Sequence, residues 1–269
     1  MSWNNFLHKI AFLIRLPQSG PGVREVWHRN FLYFRYSWKV SVFWIILEPL
    51  FYLGAIGYGL GAFVSNIQGI SYVDWFFPGL LCSTAMMVSF FEGTYGNFTK
   101  LTHQKTYATI LMTRVSPSEI VIGEVLWGAT KGFLGVLGVT LVAGAFGLLH
   151  TPLIILAMFV LFLVCLVFSA IGMLMTSFAR NYDSFIYATS GFIIPMSLFS
   201  GTYFPLTQLP VGFQWFTYFF PLTHAVVAVR QLLLNGISWW FLLHVSVLVV
   251  FFFVALNWAS VRIQRKVYF

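Results

Sequence analysis

From Gly132 to Ala179 the chain carries no Asp, Glu, Lys or Arg. A run of that length cannot be covered by water in a soluble fold, because its backbone and side chains offer no charged surface. A spanning helix takes about 20 apolar residues. The turn signal His150-Thr151-Pro152 divides the run, so it reads as a hairpin of two spans. Composition agrees. Hydrophobic residues make up 59% and charged residues 8%, against roughly 25% charged in a soluble domain. Mean hydropathy is +0.84. The expected fold class is therefore an all-α polytopic membrane protein.

Sparse charges delimit the remaining spans. Glu48 is the only charge between Lys39 and Asp74, which gives a first span over 39–63, and Glu92 is the only one between Asp74 and Lys100, which gives a second over 76–97. A third runs from Ile120 to Leu149, a fourth over 153–178, a fifth from after Asp183 to Ser200, and a sixth over 238–261. The stretch 201–236 is apolar but broken by Pro205, Pro210, Gly212 and Pro221, and reads as short re-entrant or interfacial helices on the external side, those of 201–222 above all. Six spans put both termini on one side. Lys9, Arg15, Arg24, Arg29, Arg35, Lys39, Lys100, Lys105, Arg114, Arg180, Arg262, Arg265 and Lys266, thirteen of the 15 basic residues, then share one face, which makes that face and both termini cytoplasmic. The net charge of +8 thus belongs to the positive-inside pattern and not to a nucleic-acid surface.

Residues 1–37 read as a cytoplasmic interfacial arm ahead of a membrane domain over 38–269. Trp3, Phe6, Leu7, Ile10, Leu13 and Ile14 form one apolar stripe; after the break Pro17–Gly22, Val23, Trp27, Phe31, Phe34 and Trp38 form another. Two basic amphipathic helices too polar to span lie in the interface, either as a plain anchor or as a gate or partner-contact element. The first apolar stretch is short, is interrupted by His8, Lys9 and Arg15, and does not read as a cleavable signal.

Three groups of residues are candidates for function. The loop 99–118 mixes Lys100, His103, Gln104, Lys105 and Arg114 with Tyr107, Ile110, Leu111 and Met112, so a short helix there would set an apolar knob on a basic surface; the plainer alternative is a solvated loop. Glu48, Glu92, Glu124 and Lys131 lie within apolar spans, where an unpaired charge costs at least ~2.5 kcal/mol. Lys131 must therefore face protein or water, with one of the three glutamates as the expected partner, as part of a coupling network or as a structural ion pair; Glu92 and Glu124 could instead snorkel to the interface. The external segment crowds Tyr203, Phe204, Phe213 and Trp215 around Pro205, as an interfacial aromatic belt or as an exit for an amphiphile. Gly128 and Gly132 form a small-xxx-small pair suited to close helix packing. Pro49 should kink the first span. Cys82 and Cys165 sit in apolar runs and read as buried thiols rather than a disulfide or metal site.

The chain has no G-x-x-x-x-G-K-[ST] phosphate loop, no HExxH, no Cys/His cluster and no G-x-S-x-G elbow. If it uses ATP, another chain must hydrolyse it.

SGTYFPLTQLP (200–210) followed by FPLTHAVVAVR (220–230) resembles the signature of ABC-2 type permeases. IGYGLGAFV (56–64), FFPGLLCSTAM (76–86), FFEGTYGNFTKL (90–101) and VIGEVLWGATKG (121–132) resemble the nodulation protein J subfamily. The resemblance runs from about Arg29 to Arg262. It implies a bacterial inner-membrane exporter in which two permease copies pair with two separate ATPase subunits, which bind the ATP and magnesium. No cofactor is expected in this chain. Residues 22–37 would be the connecting helix. The loop 99–118, through His103, Gln104, Lys105, Tyr107, Ile110 and Leu111, would be the coupling element. Segment 201–222, with Tyr203, Phe204, Pro205, Phe213 and Trp215, would stand near the exit. The subfamily is associated with lipo-oligosaccharide export, and wider relatives with polysaccharides, teichoic acids or drugs. Two other classes are distinguishable by experiment. A proton-coupled carrier using Glu48, Glu92, Glu124 and Lys131 would run on a pH gradient without an ATPase. A lipid-modifying enzyme with His103 or His224 as base would turn over as a single chain.

Overall fold

The computed structural model describes residues 17–64, 66–67 and 69–268. The first amphipathic helix of the arm, at Trp3–Ile14, lies outside the described residues, as does the side chain of Glu48. Among the described residues the architecture is all-α apart from one hairpin of two-residue strands, β1 (Asn66–Ile67) with β2 (Ile70–Ser71), which turns on Gly69 at φ +81°.

Helix α1 spans Gly22–Tyr52 and continues in a wider π-helical winding over Leu53–Leu60. The arm's second helix and the first expected span are thus one unbroken helix across residues 37–39. The helix also runs through Pro49, and its winding changes four residues later at Leu53. Helix α2 (Tyr72–Phe91) is N-capped by Ser71, whose hydroxyl accepts from Asp74 N at 3.2 Å. It continues through π-helical turns at Glu92–Gly96 and Thr99–His103. The start of the loop expected at 99 is therefore helix. Thr99 and Thr102 return their hydroxyls to the carbonyls of Tyr95 and Phe98, which lets polar residues extend an apolar helix. A single turn at Lys105, φ 51°, separates α3 (Thr106–Leu111).

Helix α4 (Pro117–Ala145) opens with a capping box between Ser116 and Glu119, with proline at its first position. The Glu119 carboxylate serves two helices at once. One oxygen accepts from Ser116 N at 2.7 Å and the other from Gly22 N, at the start of α1, at 3.0 Å. Glu119→Ala removes the anchor of both N-termini and is expected to cost about 1–2 kcal/mol, read as a lowered melting temperature of the detergent-solubilised chain. A retained melting temperature would show that packing alone holds α1.

Helices α5 (Ile154–Phe178), α6 (Ser184–Phe199, π-wound over Thr189–Ile193), α7 (Val211–Thr217), α8 (Pro221–Leu234) and α9 (Trp239–Tyr268) complete the bundle. Among the described residues, the helices over Tyr72–His103, Pro117–Ala145, Ile154–Phe178 and Trp239–Val267 are long and apolar enough to cross a membrane. The fifth expected span is present as α6, shorter than the roughly 20 residues a crossing takes. The broken stretch after it forms short helices, and α8 packs its face of Leu222, Val226, Val229 and Leu232 into the core.

The core is built where α2, α4 and α5 cross, with α8 and α9 closing one flank and α1 lying along α4. Small residues set the separation. A Cβ on Gly132 would meet Ser89 Oγ, and one on Gly128 would meet Ser169 Oγ. Gly93 on α2 and Gly172 on α5 touch backbone to backbone: a Cβ on Gly172 would stand 2.8 Å from Phe90 O and 2.9 Å from Gly93 Cα. The expected role of the glycines in α4 is met there. Gly54 of α1 differs, since nothing lies within 4 Å of a Cβ at that position. Cys82 and Cys165 are buried free thiols.

Candidate functional site

The charged residues of α2 and α4 converge at the bundle end that carries α3. Glu92 and Lys100 are eight apart on α2, and Glu124 and Lys131 seven apart on α4, so each pair lies on one face. Lys131 Nζ meets Glu92 Oε2 at 2.7 Å, and Trp127 Nε1 donates to Glu92 Oε1 at 3.1 Å. Lys100 Nζ meets Glu124 Oε2 at 2.7 Å and lies 3.7 Å from Glu92 Oε1. Helix α1 adds Asn30, whose Nδ2 donates to Glu124 Oε2 at 2.9 Å, and Arg29, whose Nη1 stands 3.8 Å from Glu124 Oε1. Of the expected intramembrane set, the structure joins Glu92 to Lys131 and gives Glu124 to Lys100. Arg29, Asn30, Lys100 and Trp127 are members that the apolar-span criterion did not single out. Lys100 was legible as the residue two turns after Glu92; Arg29 and Asn30 carried no signal, since only packing of α1 on α4 brings them in.

These residues line a cavity of about 240 Å³ bounded by α1, α2 and α4. Its wall toward α1 is aromatic: the rings of Phe34 and Trp127 meet edge to face at 5.7 Å, and those of Trp27 and Trp127 at 6.2 Å. Trp27 Nε1 donates to Thr130 Oγ1 at 3.0 Å, which fixes α1 against α4 beside the cavity.

The expected coupling residues divide. Tyr107 is fully buried, and burial pushes its hydroxyl well above the ordinary tyrosine range. Ile110 and Leu111 pack partly against the core. These three are not an exposed knob. The core draws in the apolar side of a six-residue helix, and the opposite side is left outward. That outward side carries Lys105, Ala108, Thr109 and Met112, spaced for one helical face, with Met112 86% exposed. His103 is exposed and stacks on Tyr182 at 5.4 Å, and the Gln104 side chain accepts from Thr106 Oγ1.

The external candidates also divide. The Tyr203 ring leans on Phe76 at 5.8 Å while its carbonyl accepts from Tyr72 OH at 2.9 Å. Phe213 joins a separate aromatic cluster with Phe199 and Phe216, Phe204 and Pro205 are half-buried, and Trp215 is exposed. The missed residue here is Arg230. Its guanidinium lies 3.7 Å over the Trp75 ring, and it donates to the carbonyls of Trp75 and Gly201, fastening α8 to the start of α2 and to the turn at Gly201. His224 is committed to structure: Nε2 lies 2.8 Å from the Tyr218 carbonyl, and Nδ1 lies 2.8 Å from His244 Nδ1. A carbonyl only accepts, so His224 Nε2 carries a proton. When both rings are neutral, His224 Nδ1 must accept from His244.

The profile of the ABC-2 type transporter family matches residues 22–234. Over 251 residues the chain is 33% identical to Nodulation protein J of Rhizobium leguminosarum bv. viciae, covering 93% of this chain and 97% of that protein. It is 34% identical over 225 residues to Nodulation protein J of Rhizobium meliloti (strain 1021), covering 84% and 86% of the two chains. It is 23% identical over 213 residues to Inner membrane transport permease YadH of Escherichia coli (strain K12), covering 77% and 81%. No solved structure matches the chain.

Proposed function

The chain belongs to the ABC-2 type transporter family, and on that premise we propose that it is the permease subunit of an ATP-driven exporter in a bacterial inner membrane. Its cargo on this reading is an amphiphile of the lipid-linked oligosaccharide or polysaccharide type. Two copies of the permease work with two copies of a separate ATPase subunit, which holds ATP and magnesium. Both termini face the cytoplasm, on the side of the basic residues. The relatives named Nodulation protein J and the relative named as an inner membrane transport permease support the reading.

The observation that carries it is the outward face of α3. Lys105, Ala108, Thr109 and Met112 form a small basic and apolar surface, while Tyr107 on the opposite side is buried in this chain. A push on that face by a docked subunit is delivered through a fully packed side chain to the bundle end that holds the Glu92–Lys131 and Glu124–Lys100 pairs. Glu119 and Trp27 tie the connecting helix to the same end, so α1 and α4 move together.

The test is co-purification of a tagged chain with its ATPase in mild detergent. The double substitution Ala108→Asp with Met112→Asp adds two charges to the outward face and disturbs no buried group. It is expected to lower the co-purified ATPase and its ATP turnover by at least about tenfold, the effect of losing roughly 1.4 kcal/mol or more of docking energy. A wild-type chain that purifies with no ATPase would overturn the reading. Transport by that chain under a pH gradient would then favour a proton-coupled carrier.

A further inference from the structure

The cavity between α1, α2 and α4 is not electrically balanced. Arg29, Lys100 and Lys131 line it against Glu92 alone; with Glu124, buried behind the lining and paired to Lys100, the cluster still keeps one positive charge. The two lysines are each 2.7 Å from a carboxylate oxygen. Arg29 is the cation left over. Its two hydrogen bonds, to Asn30 Oδ1 and Thr106 Oγ1, are both 3.5 Å long, its approach to Glu124 is 3.8 Å, and its side chain keeps 39% exposure. A guanidinium has five donors in a fork that matches the oxygens of a phosphate or sulfate. Most of these donors have no close acceptor among the described residues.

The rest of the cavity fits what such an anion would be attached to. Tyr33, Phe34 and Trp127 supply apolar and ring surface, while Ser37 supplies a hydroxyl. A free inorganic ion needs no aromatic wall. The volume of about 240 Å³ exceeds that of a phosphoryl group alone.

We propose that this cavity seats the phosphate- or sulfate-type anionic headgroup of a membrane amphiphile, held at Arg29 with the Trp127–Phe34 wall against its uncharged part. The two lysine–glutamate pairs keep the neighbouring carboxylates from repelling it. As a step in transport the proposal rests on the permease reading; as binding it stands apart, because it requires neither ATP nor a partner subunit.

The experiment uses the full chain, without nucleotide, in nanodiscs of phosphatidylcholine containing a minor share of phosphatidic acid, with retained lipid counted by native mass spectrometry. Wild type is expected to retain phosphatidic acid over phosphatidylcholine by about tenfold or more, the range of one charge-assisted hydrogen-bonded contact. Arg29→Gln is expected to abolish the preference. Ser37→Glu, which adds a negative charge to the lining and removes no observed contact, is expected to do the same and serves if Arg29→Gln does not fold. Arg180→Gln, which removes an exposed cation outside the cavity, is expected to keep the preference. Inorganic phosphate added in excess separates the two sources of the anion: displacement of the lipid assigns the seat to the phosphoryl group itself, and retention assigns it to the whole headgroup. Equal retention of the two lipids by wild type, or a preference untouched by both Arg29→Gln and Ser37→Glu, overturns the proposal. Loss of ATPase co-purification with binding intact would count against the permease reading alone.

Discussion

Glu124→Ala is expected to destabilise the protein more than any other single change in the charged cluster, by roughly 3–5 kcal/mol. Glu124 is fully buried, and one of its oxygens is shared by Lys100 at 2.7 Å and Asn30 at 2.9 Å. Its removal leaves the Lys100 ammonium, whose side chain is 12% exposed, with Glu92 at 3.7 Å as its remaining carboxylate, and leaves the buried Asn30 amide without its acceptor. The cost is that of desolvated groups left unmatched, not the worth of the ion pair. Two further variants separate these. Glu124→Gln keeps an acceptor for Asn30 and should lose less. Lys100→Met with Glu124→Leu removes both charges and should recover much of the loss, since a buried pair replaced by apolar groups is often close to neutral. Melting of the detergent-solubilised chain, followed by size exclusion after heating, gives all three values, and adding Lys100→Met and Glu124→Leu alone completes a double-mutant cycle. A Glu124→Ala chain that melts with wild type would mean that water or lipid headgroups already solvate Lys100.

The second large effect is steric. Gly172→Leu is expected to prevent accumulation of folded chain, and Gly172→Ala to cost about 2–3 kcal/mol. The atoms that a side chain would strike, Phe90 O at 2.8 Å and Gly93 Cα at 2.9 Å from a Cβ, belong to the backbone of α2, so no rotamer change can make room. Close approach at this crossing is also what satisfies the π-helical turn of α2. Thr176 Oγ1 donates to the carbonyl of Gly93 at 2.8 Å and lies 3.2 Å from that of Thr94, supplying a partner where the winding widens. Loss of that hydrogen bond is worth only about 1 kcal/mol by comparison. Measured yield and melting temperature of the two Gly172 variants decide the matter. Tolerance of leucine would show that α2 and α5 can part without unfolding.

Much of the membrane domain was legible in the sequence because burial in lipid is a one-dimensional constraint. Runs poor in charge mark helices at α2, α4, α5 and α9 whatever they pack against, and His150-Thr151-Pro152 marks the turn between α4 and α5 because a hairpin in this setting needs a polar break. The start of α4 at Pro117, ahead of the expected Ile120, is set by the capping box of Ser116 and Glu119, a signal that hydropathy does not carry. Helix boundaries that depend on neighbours were not legible. The arm and first span read as two elements from their polarity, yet form one helix, since Trp27, Phe34 and the Glu119 carboxylate hold the polar part of α1 along α4.

The site followed the same division. That Lys131 must turn from lipid to protein or water is a consequence of its position in an apolar run, and it does so at Glu92. Which glutamate it meets, that Lys100 takes the other, and that Arg29 reaches Glu124 only at 3.8 Å are outcomes of how three helices cross. Tyr107 shows the limit most directly. As a residue in a basic loop it reads as an outward docking contact, but α3 is too short to choose its own face, and the core takes the tyrosine and leaves Met112 outside. The sequence by itself determined that this chain is a helical membrane protein, where its apolar helices lie and that its intramembrane charges must turn from lipid, because hydrophobicity and desolvation act on each residue regardless of fold. Only the tertiary structure decided which charges pair, which side of α3 faces outward and where a cavity with an uncompensated cation is left, because those depend on distances between segments far apart in the chain.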